Sequence, residues 1–379
     1  MAPRRTDSLI ENFLAWFAAS VLVTAGVIYA SKPEKNRRGR QPAYVPPRAT
    51  PAQEPRTLQE LRAAEPGRGR RARAPKHIPW RGWKDVLVRT YHEILDDRLF
   101  ALAAGVAFYS LLAVFPAIAA GVSCYALFAN AATITKHLSI TAGIVPSGTL
   151  DLLGGEITRI AAKSDGKLTF GFVFGLGVAL WSANAGMKSM FDALNVIYDE
   201  AEKRDLVRVN LVSLFFTICA IAAAGLAVGL VVVFPLLLAA FGLTSQDYPV
   251  IGYLRWPTMF VLILFGLAVL YRYGPSRRWA KWRWLSVGSV LAALAWLAVS
   301  VLFSWYLGHF ADYNATYGAL GAVVGMMMWM WLSAIVVLVG AELNSEIEHQ
   351  TAQDSTVGPP KPLGARGAVM ADTVGRAAE

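Results

Sequence analysis

Glu342 is the residue whose position in the sequence points most directly to chemistry. It follows the apolar run VVLVG and shares a helical face with Ser345, Glu346 and His349. A polar side chain in a membrane-spanning helix is costly and commonly faces the interior of a bundle, where a partner or a solute can contact it. One interpretation is that Glu342 lines a polar cavity. The other is that it marks the end of a helix and pairs with a basic loop residue such as Arg98.

Other polar side chains stand at the ends of long uncharged runs and are candidates for the same cavity. If their helical faces converge with that of Glu342, they outline one polar space inside a bundle. Two prolines, Pro116 and Pro235, would kink the helices that contain them, because proline removes a backbone donor. The candidate cavity residues are Tyr109, Ser110, Asn184, Asn195, Glu342 and Asn344, and a predicted turn and helix cap consists of Tyr313, Asn314, Thr316, Tyr317 and Gly318.

Catalytic and metal-binding patterns are weak in this sequence. The five histidines are far apart, and no HxxH, HExxH or CxxC spacing is present. Acidic residues group only between positions 192 and 205, where Lys203, Arg204 and Arg208 lie among them, as is typical of a solvated helix end with salt bridges. We therefore expect no catalytic residue, no metal and no cofactor.

The composition predicts a polytopic membrane protein. Of the 379 residues, 55% are hydrophobic and only 16% are charged, so most of the apolar surface cannot be hidden in a water-bounded core. The net charge is +10, but 17 of the 36 Lys and Arg residues fall between positions 32 and 98, ahead of the main hydrophobic block. This placement indicates that the basic residues set the membrane topology and that anionic lipid head groups are their partners. It does not indicate specific binding of nucleic acid.

Charge-free runs predict an all-α bundle of six core transmembrane helices. One such run lies between Asp312 and Glu342, where 29 consecutive residues carry no charge and can cross a hydrocarbon core about 30 Å thick. The glycine pairs 171/175 and 225/229 have the small-xxx-small spacing that lets helices approach closely. The other predicted spans are 99–128, 168–187, 209–237, 250–271 and 284–307, preceded by an amphipathic interfacial helix over 80–98.

The sequence divides into four parts. Residues 1–31 contain an apolar segment that predicts a seventh, N-terminal anchor helix, with a cleavable signal peptide as the competing interpretation. Residues 32–79 are rich in Arg and Pro and 350–379 are small and polar, so both are predicted to be disordered around the membrane domain at 80–349. Basic loops alternate with non-basic ones, which predicts that both ends of the membrane domain are cytoplasmic and the extreme N-terminus external.

Four motifs together make the sequence similar to a known family of membrane proteins. They are LAAGVAFYSLLAVFP (102–116), WSANAGMKSMFDALNVIYDE (181–200), YNATYGALGAVV (313–324) and GAELNSEIE (340–348). In this order, with this hydropathy between them, they resemble the YihY/BrkB family of bacterial inner-membrane proteins over about 83–348. The anchor and the linker lie outside the resemblance.

The resemblance implies a location in the bacterial inner membrane and leaves the molecular activity open. The family has carried two labels, a tRNA-processing ribonuclease and a virulence factor linked to serum resistance. We expect transport or handling of a lipid or another amphipathic envelope solute, with a non-transporting envelope scaffold as the alternative and a ribonuclease as a minor one. A second copy of the chain is a further candidate partner.

Overall fold

The computed structural model describes residues 56–128, 166–228, 249–309 and 319–378. The predicted anchor, Pro235, and the turn-and-cap residues Tyr313, Asn314, Thr316, Tyr317 and Gly318 lie outside these residues. Pro116 falls within a described helix. Apart from one isolated bridge between Ala280 and Thr356, every regular element in the described ranges is helical. The protein is therefore an all-α membrane helix bundle, as the composition predicted.

Nine α-helices and one short 3-10 helix (Pro75–His77) appear in the described ranges. The predicted first span has the same bounds as its helix, 99–128, whereas the second predicted span continues ten residues further, to Ile197. The helices are α1 (Arg56–Ala63), α2 (Trp80–Asp96), α3 (Leu99–Phe128), α4 (Gly166–Ile197), α5 (Leu206–Val228), α6 (Pro249–Tyr273), α7 (Trp282–His309), α8 (Ala319–His349) and α9 (Val369–Asp372).

Apolar surface on the outside of the bundle identifies the membrane-spanning helices. Leu206–Ala227, Trp282–Leu307 and Val323–His349 are long and apolar enough to cross a bilayer, and much of their apolar surface is exposed in the protein alone. Such a surface is stable only when it faces lipid. A fourth crossing is available if α2 and the first part of α3, which meet at 60°, count as one bent span. The predicted number of six crossings remains a prediction.

Helix α8 lies at the centre of the bundle and contacts α2, α3, α4 and α7. Its closest approach is to α7, where Gly288 and Gly340 face each other and a Cβ on either would collide with the partner helix. Gly186 of α4 also lies close to α3, since a Cβ added there would be 3.2 Å from Ser110 Oγ. At Gly175 and Gly225, in contrast, no atom of the described residues lies within 4 Å of an added Cβ, so the close approach expected at the glycine pairs remains a prediction.

Helix α2 is amphipathic, as its spacing predicted. Trp80, Leu87 and Tyr91 are exposed along one face, while Val86 and Thr90 are buried against the bundle. An exposed apolar face next to charged residues is typical of a helix that lies in the membrane interface. Asp97 and Arg98 then turn the chain into α3.

A folded cap covers one end of the bundle, and it corrects the prediction of disorder for residues 56–78 and 350–378. We call these two segments together the cap, and the bundle end beneath them the cap end. Arg70 is 2% exposed, and its guanidinium donates to the carbonyl oxygens of Gln350 (3.3 Å) and Gly375 (2.7 Å). Arg366 likewise donates to the carbonyl of Ala352 at 2.7 Å. Hydrogen bonds from arginines to distant backbone groups thus order segments that have few large apolar residues.

The cap is also bound to the loops between the spanning helices. The backbone N–H of Val369 donates to Glu200 in the α4–α5 loop at 2.8 Å. The backbone N–H of Lys281, before α7, donates to the carbonyl of Ser355 at 2.9 Å. The ends of α2, α4, α6 and α8 and the beginnings of α3, α5 and α7 therefore meet under one folded layer.

Candidate functional site

Glu342 is completely buried at the cap end of α8. It is 0% exposed, and neither of its carboxylate oxygens has a hydrogen-bond partner among the described residues. Helix α8 continues for two further turns, to His349, so Glu342 does not end the helix. Arg98 is exposed and forms no ion pair with it. The alternative in which Glu342 pairs with a basic loop residue is therefore wrong for the described part of the chain.

Acidic side chains surround Glu342. The charges that act on it most strongly belong to Asp97, Glu346, Glu93 and Asp199, which come from α2, the α2–α3 junction, the end of α4 and α8 itself. Of these, Glu346 is neutralised by an ion pair with Arg89 of α2. The residues that act on Glu342 most strongly are therefore acidic.

Burial and nearby acidic residues raise the pKa values of Asp97 and Asp199, two acids that lie between the helices. Burial raises the pKa of Asp97 to about 8, and the carboxylates of Glu93 and Asp199 add to this rise. Burial also raises the pKa of Asp199, which His349 partly opposes. A half-buried carboxyl with a pKa near neutrality can exchange a proton with water at physiological pH. Asp97 is such a group, and its charge acts on Glu342.

A second buried carboxylate on the same helix is fully paired. Glu348 accepts a hydrogen bond from Arg277 at 2.6 Å and another from the Ser355 hydroxyl at 2.6 Å. The Arg277 guanidinium also stacks over the Tyr198 ring, 4.1 Å from its centroid. This arrangement joins α4, the α6–α7 loop, α8 and the cap, and we interpret it as structural.

Asn195 and Asn344 form hydrogen bonds that hold elements together. The Asn195 amide oxygen accepts from the backbone N–H of Ser276 (2.7 Å), and its Nδ2 donates to Glu202 (3.0 Å). The Asn344 amide oxygen accepts from the backbone N–H of Gly288 at 2.8 Å. Because Asn344 lies two residues after Glu342, it points to nearly the opposite side of α8. Both asparagines therefore join helices and loops rather than extending the surroundings of Glu342.

Tyr109, Ser110 and Asn184 lie on α3 and α4, at a different depth. Thirteen residues, about 20 Å of helix, separate Asn184 from Ile197, whose carbonyl accepts a hydrogen bond from Ser345 beside Glu342. Asn184 is 5% exposed, and its Oδ1 has no partner among the described residues. Asn184 and Glu342 are thus among the unpartnered polar groups of the described residues, and they lie at two different levels of the bundle.

Sequence reasoning missed Asp97 as a member of this site. The residue stands at the junction of an interfacial helix and an apolar one, where a carboxylate is ordinary. The available signal was the pair Asp96 and Asp97, which only Arg98 separates from a 37-residue uncharged run.

Comparison with known proteins agrees with this architecture. Residues 90–363 match the family model described as virulence factor BrkB. The ribonuclease-like protein YfkH of Bacillus subtilis (strain 168) is 29% identical over 261 residues, which cover 64% of this chain and 88% of that protein. A UPF0761 membrane protein of Haemophilus influenzae (strain 86-028NP) is 23% identical over 256 residues, covering 67% and 91%.

A third relative, a UPF0761 membrane protein of Paraburkholderia xenovorans (strain LB400), is 25% identical over 256 residues, covering 66% of this chain and 57% of that protein. No solved structure matches the chain at a significant level. The family match spans the bundle from α2 to α8 and enters the cap, which is most of the chain. The protein therefore belongs to the virulence factor BrkB family of integral membrane proteins.

Proposed function

We propose that this protein transports or otherwise handles a lipid or another amphipathic solute of the bacterial envelope, within the helix bundle. The observation that carries the proposal is the presence of unpartnered polar atoms inside an apolar bundle, Asn184 Oδ1 on α4 and both oxygens of Glu342 on α8. Leaving a buried polar group without a partner costs about 1–3 kcal/mol. A solute or water that enters the bundle would supply the missing partners.

Asn184 is suited to a test of this proposal, because its Oδ1 makes no hydrogen bond among the described residues that a substitution would remove. Leucine has a similar volume and needs no partner, so Asn184→Leu is expected to keep or raise stability while removing a polar contact for the solute. The matched control is Asn210→Leu, since Asn210 donates only to the carbonyl of Leu206 on its own helix, at 2.7 Å.

The assay is leaflet exchange of fluorescent phosphatidylglycerol and phosphatidylethanolamine in vesicles that contain the purified protein. We expect exchange above that of empty vesicles for the wild type and Asn210→Leu, and a loss of tenfold or more for Asn184→Leu. Equal exchange in vesicles with and without the protein, for both lipids, would contradict a lipid-handling function.

The alternative function is a non-transporting envelope scaffold. The cap favours it, because the cap is a folded surface that exposes Arg71, Arg73 and Lys76 to partners. The two functions differ for Glu342→Gln at unchanged membrane abundance. A transporter should lose its cellular phenotype, whereas a scaffold should keep it.

The same exposed basic residues support anionic lipid head groups as partners of the cap. Replacing Arg71, Arg73 and Lys76 with Gln should reduce the amount of anionic lipid that co-purifies with the protein, measured by mass spectrometry. Location in the inner membrane with the cap in the cytoplasm is part of this proposal. A reporter fused after residue 276 should then be cytoplasmic and one fused after residue 311 external.

A ribonuclease activity has no comparable support. In the acidic segment before α5, Glu202 pairs with Arg204 at 2.7 Å and Glu200 with Lys203 at 2.6 Å. Within the described ranges, no group of three His, Cys, Asp or Glu side chains has the geometry to hold a metal ion. If the ribonuclease alternative were correct, purified protein would cleave tRNA, and substituting Asp192 or Glu342 would remove the cleavage.

A further inference from the structure

We propose that Glu342 is a proton-binding site: its carboxyl holds a proton while the cap end of the bundle is closed and releases it to water when that end opens. The role of this proton in coupling rests on the proposed transport function, but the protonation itself does not. The proposal stands on the burial of Glu342, the lack of any partner for its carboxylate, and the charges that face it.

The surroundings of Glu342 accommodate a neutral carboxyl and not a carboxylate. An ionised carboxylate that is removed from water needs hydrogen-bond donors or a cation close by. Glu342 is 0% exposed, and neither of its carboxylate oxygens has a hydrogen-bond partner among the described residues. A protonated carboxyl carries no net charge, so it loses much less when it is buried.

The neighbouring cations are already engaged elsewhere. Arg89 forms an ion pair with Glu346 and also donates to the carbonyl of Arg376 at 2.8 Å. The Nδ1 atom of His349 lies 3.5 Å from the same Glu346. The titratable and charged groups around Glu342 are Arg89 and Glu93 on α2, Asp97 between α2 and α3, Tyr198 and Asp199 after α4, and Glu346 and His349 on α8.

Four acidic residues, Asp97, Glu346, Glu93 and Asp199, act on Glu342, and each of them that is ionised makes a second negative charge there less favourable. Like charges disfavour ionisation of a carboxyl. Burial and electrostatics therefore both favour the protonated form of Glu342. A fixed metal ion is a weaker explanation, since the described residues of this cluster lack a metal-binding geometry.

Asp97 gives the proton a route to water. It is partly exposed at the junction of α2 and α3, and both of these helices contact α8, which carries Glu342. Its pKa of about 8 lets it take up and release protons near neutral pH. We assign Asp97 as the relay that passes a proton between the solvent and Glu342.

The proton would bias the protein between two states. With the proton bound, Glu342 is stable under the cap. Once the proton has left, the carboxylate favours a state in which water reaches the cap end, because a ligand shifts an equilibrium toward the state that binds it better. A solute entering through the opened cap end would then be coupled to proton release.

Infrared spectroscopy on the purified full chain in micelles tests the protonation directly. A protonated carboxyl has a C=O stretch above the amide I band, and a carboxylate does not. The wild type at pH 7 is expected to show this band, and Glu342→Gln is expected to lose the Glu342 component. The matched control is Glu60→Gln, an exposed glutamate on α1, which should leave the band unchanged.

Two further variants keep the test decisive. Glu342→Met, apolar and of similar volume, should remove the same component if the glutamine variant does not fold. Asp97→Asn should slow the exchange of the Glu342 proton after a pH jump. A band that is identical in the wild type and in both Glu342 variants would overturn the proposal, and so would a band that millimolar Mg²⁺ or Ca²⁺ abolishes at constant pH.

The result can be separated from the transport proposal. If the Glu342 band is present and lipid exchange is absent, the proton site stands and the transport function fails. If exchange occurs and responds to Asn184→Leu but no Glu342 band exists, the transport function stands and the proton site is wrong.

Discussion

The last three turns of α8 contain two buried carboxylates, one with hydrogen-bond partners and one without. Glu348, under the cap, has an arginine and a hydroxyl within 2.6 Å. Glu342, six residues earlier and equally buried, has no partner in the described part of the chain. Both carboxylates are therefore buried, and they differ in whether they have hydrogen-bond partners. A paired buried carboxylate fixes structure, whereas an unpaired one is free to take a proton or contact a solute.

Removing the partner of Glu348 should have the largest effect on stability. Arg277→Met leaves the Glu348 carboxylate buried without its cation, which costs about 3–5 kcal/mol. The measurement is the thermal unfolding midpoint of the purified protein in micelles. Arg283→Met, an exposed arginine at the start of the next helix, changes the charge equally and should leave the midpoint almost unchanged. A similar loss in both variants would refute the structural role of the Glu348 ion pair.

Replacing each of the two glutamates with glutamine should change stability by different amounts. Glu348→Gln leaves the Arg277 guanidinium without its carboxylate, and we expect a loss of about 1–3 kcal/mol. Glu342→Gln replaces a neutral carboxyl with a neutral amide of the same shape, so we expect a change within about 0.5 kcal/mol of the wild type. Unfolding midpoints from pH 6 to 8 test both. If Glu342→Gln is the more damaging change, the two sites have been interpreted the wrong way round.

A substitution of Arg70 tests how much its hydrogen bonds stabilise the cap that covers Glu348. Arg70→Met removes donors to the carbonyls of Gln350 and Gly375 and the ion pair with Glu65, and should loosen the cap by about 1–2 kcal/mol. Limited proteolysis should then cut the C-terminal segment faster while the bundle stays intact. Arg71→Met, at the exposed neighbouring position, is the control, and equal cleavage rates in the two variants would contradict the role of Arg70.

These contacts also show what the sequence could and could not reveal. The span ending in GAELNSEIE was predictable because a charge-free run and its polar ends are local features. The cap was not, since Arg70 and Gln350 are 280 residues apart and composition alone indicates disorder. Glycine spacing was similarly incomplete: Gly288 and Gly340 form the close helix contact although neither belongs to a predicted small-xxx-small pair.

The candidate site was predictable in part for the same reason. Glu342 stood out because it follows an apolar run, but its isolation depends on which arginine reaches which carboxylate. Arg277 reaches Glu348 and Arg89 reaches Glu346, and neither pairing follows from spacing. Asn195 and Asn344 have the same residue type as Asn184, yet only three-dimensional contacts show that the first two join structural elements.

A further predicted effect is a dependence of stability on pH that comes from Asp97. Its pKa in the folded protein is about 8, whereas an unfolded chain has a value of about 3.9. The folded state therefore binds more protons between these two values, and stability falls as the pH rises toward 8. The slope is at most roughly 1.4 kcal/mol for each pH unit, and solvent screening of this partly exposed group reduces it.

Thermal unfolding in micelles between pH 6 and 9 measures this slope. The wild type should lose stability up to about pH 8 and then level off, while Asp97→Asn should show a flatter profile and a higher midpoint at pH 9. Asp205→Asn, an exposed acid next to α5, should follow the wild type. Wild-type stability that rises over this range would mean that Asp97 is held as a paired carboxylate, like Glu348. It would then not be the proton relay for Glu342.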